Sequence, residues 1–159
     1  MLSEIVKKKF LPYGEFIEPF KVEEITFDFF AHLETSLVHT TFFMKDYEIK
    51  SFLYVFGKKY QKLTINEFKH LWITFQKISK KLLKAPEDHY LSSFILFVEV
   101  EEAEETIKEV VINSFSSKNI WFGLKGSYHV GVALFSRKEK VYPKEISSYV
   151  SWIFENKNL

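Results

Sequence analysis

A chain of 159 residues with 47% hydrophobic and 27% charged residues can bury one sizeable core, and its composition excludes the disordered class. The absence of cysteine excludes a disulfide framework, thiol catalysis and any Cys-ligated zinc or iron–sulfur centre, and fits a cytoplasmic protein. The net charge is +1 and Arg137 is the single arginine among 22 basic residues, which argues against nucleic-acid reading, where the guanidinium fork grips phosphates and guanine edges.

Residues 2–10 have the pattern of a short helix, ended by Leu11-Pro12-Tyr13-Gly14. Between Val22 and Leu33 the apolar residues alternate (Ile25, Phe27, Phe29, Ala31, Leu33), which is the period of a strand. Glu34-Thr35-Ser36 is expected to turn the chain, Leu37 to Met44 to return as a second strand, and Lys45-Asp46-Tyr47-Glu48 to form a polar turn. Lys50 to Tyr60 then reads as a third strand, making an antiparallel meander.

Thr64-Ile65-Asn66-Glu67 is a capping box, and Phe68, Leu71, Trp72, Phe75, Ile78 and Leu82 fall on one face of the helix it opens; Pro86 stops that helix. Tyr90 to Glu101 contains the unbroken run Phe94-Ile95-Leu96-Phe97-Val98, as in a strand covered on both faces. Glu101 to Glu105 open a second amphipathic helix with Ile107, Val110, Val111 and Phe115 inward. Asn119 to Lys125 and Tyr128 to Phe135 read as a hairpin, and Lys144 to Glu155 as a last helix after Pro143. The expected fold class is α+β: a mainly antiparallel sheet in the order α-βββ-α-β-α-ββ-α, helices packed on it, as one domain over residues 1–159. The longest dense apolar run is far short of the ~20 residues of a membrane-spanning helix, and Met1 to Lys9 lacks the apolar core of a targeting segment, so no membrane association is expected.

The polar residues that could carry chemistry are few. With a turn at Thr35-Ser36, His32 would face His39, and Asp28 would share their side of the sheet. Asp28, His32 and His39 are the candidate metal ligands, or a base with its orienting acid. An ordinary solvated sheet face explains the same residues. Lys69, His70, Lys77, Lys80, Lys81 and Lys84 could touch a phosphate backbone, although lysines on an outward helix face serve solubility equally well. Gly123-Leu124-Lys125-Gly126 has neither the spacing nor the following helix of a phosphate loop. Glu99, Glu101 and Glu102 fit an acidic helix start, and His89 reads as a turn residue.

Two topological resemblances accompany these residues. Glu48-Ile49-Lys50 looks like the (D/E)-x-K of restriction-endonuclease-like nucleases, which implies Glu48 and Lys50 as catalytic candidates beside an earlier acid. It lies before the third strand rather than on it. The same element order is similar to small dimeric secretion chaperones, which act by binding partner chains through exposed apolar surface.

Eighteen phenylalanines, eight tyrosines and three tryptophans dominate the sequence. Neighbouring rings such as Phe29-Phe30 and Phe42-Phe43 point to opposite faces, so helices or a partner must cover a second face. The reading is an interaction module without a cofactor, expected as a homodimer or with a protein partner. A metal-dependent hydrolase or nuclease, and a nucleic-acid binder using the lysine-rich helix, are the alternatives. Abundant Lys and Glu match a thermophile-like composition and equally a genomic bias.

Overall fold

The computed structural model describes the backbone of residues 2–41 and 44–155, and their side chains outside residues 37–48. Its helices are α1 (Leu2–Phe10), α2 (Ile65–Leu82), α3 (Ile107–Ile112) and α4 (Ser147–Phe154). Its strands are β1 (Glu15–Ile17), β2 (Phe20–Val22), β3 (Ile25–Phe27), β4 (Phe29–Thr41), β5 (Met44–Leu63), β6 (His89–Ala103), β7 (Phe115–Asn119), β8 (Ser127–Phe135) and β9 (Lys140–Val141). The large sheet runs β1-β4-β5-β6-β8-β7, with β9 also on β8; β2 and β3 form a separate hairpin.

The α+β class holds, but the sheet is mixed and the element order differs from expectation. β5 pairs with β6, and β6 with β8, in parallel. A strand, a helix and a strand of the same sheet return in the same direction, which α2 imposes on β5 and β6. The continuous apolar run of β6 is the sequence trace of that arrangement, since Phe94 to Val98 are all fully buried.

The expected turn at Glu34-Thr35-Ser36 does not form. β4 continues through it to Thr41, with Glu34, Thr35 and Ser36 opposite Phe52, Ser51 and Lys50. Without Gly, Pro or Asn those residues carry little turn chemistry, and Thr is at home in a strand. Lys45 to Glu48 likewise belong to β5. Five strands therefore precede α2 instead of three. Further on, Phe115 to Asn119 form the first arm of the second hairpin, and 120–126 form its tip.

Side chains alternate across the sheet and build two cores. Under α2 and α3 lie Phe27, Phe56, Phe68, Phe75, Phe94 and Leu96. Under α1 and α4 lie Val6, Phe10, Val55, Ile95, Phe97 and Ile146. α2 starts where expected, its Thr64 hydroxyl accepting the Glu67 N–H at 3.2 Å.

Phe29 and Phe30 are both covered by the chain itself. Phe30 turns to the α2 side and stacks on Phe20 with centroids 4.3 Å apart. Phe29 turns to the α1 side and stacks on Phe16 at 5.6 Å. Phe29 also lies across Gly57 of β5, where an added Cβ would stand 2.0 Å from the ring. Phe42 and Phe43 lie outside the described residues. Among the described residues no helix is long and apolar enough to cross a membrane.

Candidate functional site

The candidate site follows from a mismatch in length. With 13 and 20 residues, β4 and β5 reach roughly 40 and 65 Å, whereas α1 and α4, with 9 and 8 residues, span only about 12–14 Å. The two helices cannot cover the whole face. Beyond the end of α4 the sheet stays open, and a cleft of about 610 Å³ forms there.

Its floor comes from alternate residues of three neighbouring strands: Leu33 and Thr35, Ser51 and Leu53, Leu91 and Ser93. Tyr149 and Trp152 of α4 form one wall, and Tyr13, just after α1, stands at the rim. The cleft is largely apolar with one fixed polar pair: Ser93, 1% exposed, lies 2.7 Å from the Tyr149 hydroxyl, oxygen to oxygen. Glu34 lies 3.7 Å and Asp88 3.3 Å from the Lys50 ammonium, two carboxylates around one lysine; by the alternation of β4 and β5 this cluster belongs to the sheet face turned away from the cleft. Burial, then Glu34, raise the pKa of Tyr54, whose ring shares that face.

The residues singled out for metal chemistry are not brought together. Asp28 precedes β4 and accepts the Lys59 N–H at 2.6 Å. His32 lies four residues further, roughly 13 Å along an extended chain, too far for one ion. It pairs with Tyr54 rather than His39, stacks on that ring at 5.5 Å and stands 3.7 Å from Glu15. His39 pairs through its backbone with Tyr47, and Glu48 with Val38; the side chains of both lie outside the described residues. Lys50 stands between Glu34 and Asp88, on the sheet face away from the cleft. Among the described residues no group of three His, Asp or Glu could hold a metal ion.

Several basic residues are engaged. Lys58 donates to the Thr26 carbonyl, Lys59 and Lys62 pair with Glu99 and Glu102, and Lys81 pairs with Glu23. His89 is no turn residue: it is 5% exposed and opens β6. Its Nδ1 donates to the Lys125 carbonyl at 2.7 Å, and in the neutral ring Nε2 accepts the Ser92 hydroxyl at 2.8 Å.

Sequence reasoning missed two features. The cleft residues left no motif, because Ser93 and Tyr149 lie 56 positions apart. The tip of the β7–β8 hairpin did leave one: Trp121-Phe122-Gly123-Leu124 is an apolar run in a turn, and its side chains are 70%, 101% and 82% exposed at Trp121, Phe122 and Leu124.

One mixed sheet with a helix layer on each face, open to solvent at one end of the α1–α4 side, defines an α+β protein whose most evident feature is a cleft. The chain belongs to the family described as a domain of unknown function, DUF8052, whose model matches residues 2–155. No curated protein and no solved structure matches it.

Proposed function

We propose that this chain is a binding module, working as a homodimer, whose cleft between α4 and strands β4, β5 and β6 receives an apolar group. The observation that carries the reading is the cleft itself. Its volume of about 610 Å³ lies within the range of ligand sites, and Leu33, Leu53, Leu91 and Trp152 give it apolar walls. Ser93 and Tyr149 supply the few oriented polar atoms that such sites use for register.

The chemistry favours holding over transforming. The partner of Ser93 is a phenol, not a base that could draw off its proton. Asp28 is tied to a backbone N–H and His32 to an aromatic ring and Glu15, which leaves a hydrolytic reading without an assembled pair. The lysines committed to Glu23, Glu99 and Glu102 weaken the case for a phosphate-binding surface.

The test uses anilinonaphthalene sulfonate, a dye that brightens in apolar sites, with the cleft-filling variant Ser51→Trp as control. Saturable binding that Ser51→Trp abolishes at unchanged melting temperature is the expected result. Binding that ignores Ser51→Trp, or no saturable binding to the protein in monomeric form, would overturn the reading.

A further inference from the structure

The apolar tip of the β7–β8 hairpin is built to stay outside the fold. Trp121 and Phe122 hold left-handed backbone angles, φ 51° and 55°, a conformation that bulky residues adopt only when their surroundings enforce it. The loop supplies that enforcement. Ile120 donates to Gly126 at 2.9 Å, Lys125 returns a bond to Ile120 at 3.2 Å, and Leu124 donates to Trp121 at 3.0 Å. Gly126 lies so close to β6 that a Cβ there would stand 2.1 Å from the Tyr90 carbonyl, and His89 clamps the Lys125 carbonyl at 2.7 Å. A rigid loop thus presents Trp121, Phe122 and Leu124 to solvent.

Tip and cleft adjoin at one end of the sheet: Leu91 of the cleft floor is in register with Ser127, the first residue after the tip. Their chemistries match. The tip is apolar with one cation, Lys125, poised 5.2 Å above the Trp121 ring. The cleft that would receive it is apolar, walled by Leu33, Leu53, Leu91 and Trp152.

Resting on the cleft as a binding site, we infer that its occupant is the Trp121–Leu124 tip of a second copy, exchanged reciprocally about a two-fold axis. The area suffices. Trp121 and Phe122 of both copies offer four rings of roughly 150–250 Å² each, so with the facing walls the contact reaches roughly 1,200–2,000 Å², the size of a stable interface.

Sedimentation velocity on the full chain tests this with Phe122→Asp at the tip and Ser51→Trp in the cleft. Phe122 is fully exposed, and Asp tolerates a left-handed backbone, so the tip variant keeps its fold. The wild type is expected to dimerise and each variant to sediment as a monomer. An equimolar mixture of the two variants should associate again, because the intact tip of one meets the intact cleft of the other.

A wild type that stays monomeric at every concentration overturns the proposal, and so does a dimer indifferent to Phe122→Asp. Loss of dimer without recovery on mixing means that the tip meets something other than the cleft, and also overturns it. A monomeric wild type that binds phosphatidylcholine–phosphatidylserine vesicles through Phe122 would assign the tip to a lipid surface instead. Dye binding to monomeric Phe122→Asp separates the two proposals: retained, it leaves the cleft reading standing even where the dimer fails.

Discussion

Replacing Gly57 by alanine probes how closely the sheet is packed beneath α1. The added Cβ would lie 2.0, 2.4 and 2.4 Å from three ring carbons of Phe29, against the ~3.5–4.0 Å at which carbons rest. The ring must therefore retreat by about 1.5 Å. It has no room to do so, being 3% exposed and stacked on Phe16. Overpacking of this kind costs about 1–3 kcal/mol, and full truncation of a buried Phe about 3–5 kcal/mol. Gly→Ala also restricts the unfolded chain, which offsets about 0.4–1 kcal/mol in the opposite direction. The net expectation is a loss of about 1–2 kcal/mol, or roughly 2–8 °C in melting temperature for a chain of this size. Urea unfolding and calorimetry measure it. Phe29→Leu added to Gly57→Ala should recover part of the loss, because the two changes share one space. A Gly57→Ala protein within about 0.5 kcal/mol of wild type would refute the packing described here.

Two further expectations concern the cleft and pH. Tyr149→Phe strips the buried Ser93 hydroxyl of its partner and should destabilise by about 1–3 kcal/mol, while Ser93→Ala should cost less because the Tyr149 phenol can turn to the open cleft; thermal unfolding of both variants and the double variant gives the order. Burial holds the His129 imidazole below its ordinary pKa, so across that window the unfolded chain binds more protons than the folded one. The His129 contribution to stability is present above its unfolded value of about 6.5 and is lost as pH falls through the lower folded value. Melting temperatures of wild type and His129→Gln should therefore diverge in pH slope below about pH 6.5, the wild type being the steeper; equal slopes would show that His129 is not the group responsible.

Local periodicity carried much of the fold. α2 could be placed from its capping box and its apolar positions because both signals are local, and the unbroken burial of β6 was written in Phe94 to Val98. What failed depended on distant partners. Thr35 and Ser36 look like a turn in isolation and become strand once Ser51 and Lys50 pair with them. That one misplaced turn would have set His32 against His39, so an error in topology created an apparent site. The cleft had no sequence signature, since its residues meet only when three strands and α4 are assembled. The tip is legible: Trp121 and Phe122 stand in a turn, beside glycines whose spacing suits no phosphate loop.

The helices of the α1–α4 layer come from opposite ends of the described chain, and Phe10 meets Trp152 edge to face at 5.6 Å. A ribosome delivers them in that order, with nearly the whole sheet between. The core under α2 can close as soon as β8 emerges, but Phe97, Ala133 and Phe135 await Val150 and Ile153. A nascent chain thus keeps one apolar face bare until α4 has emerged, the state most open to chaperones and to aggregation. The wall of the cleft arrives with the same helix. Recognition therefore waits on α4, and a chain cut short before that helix would hold a nearly complete sheet without the wall of its cleft.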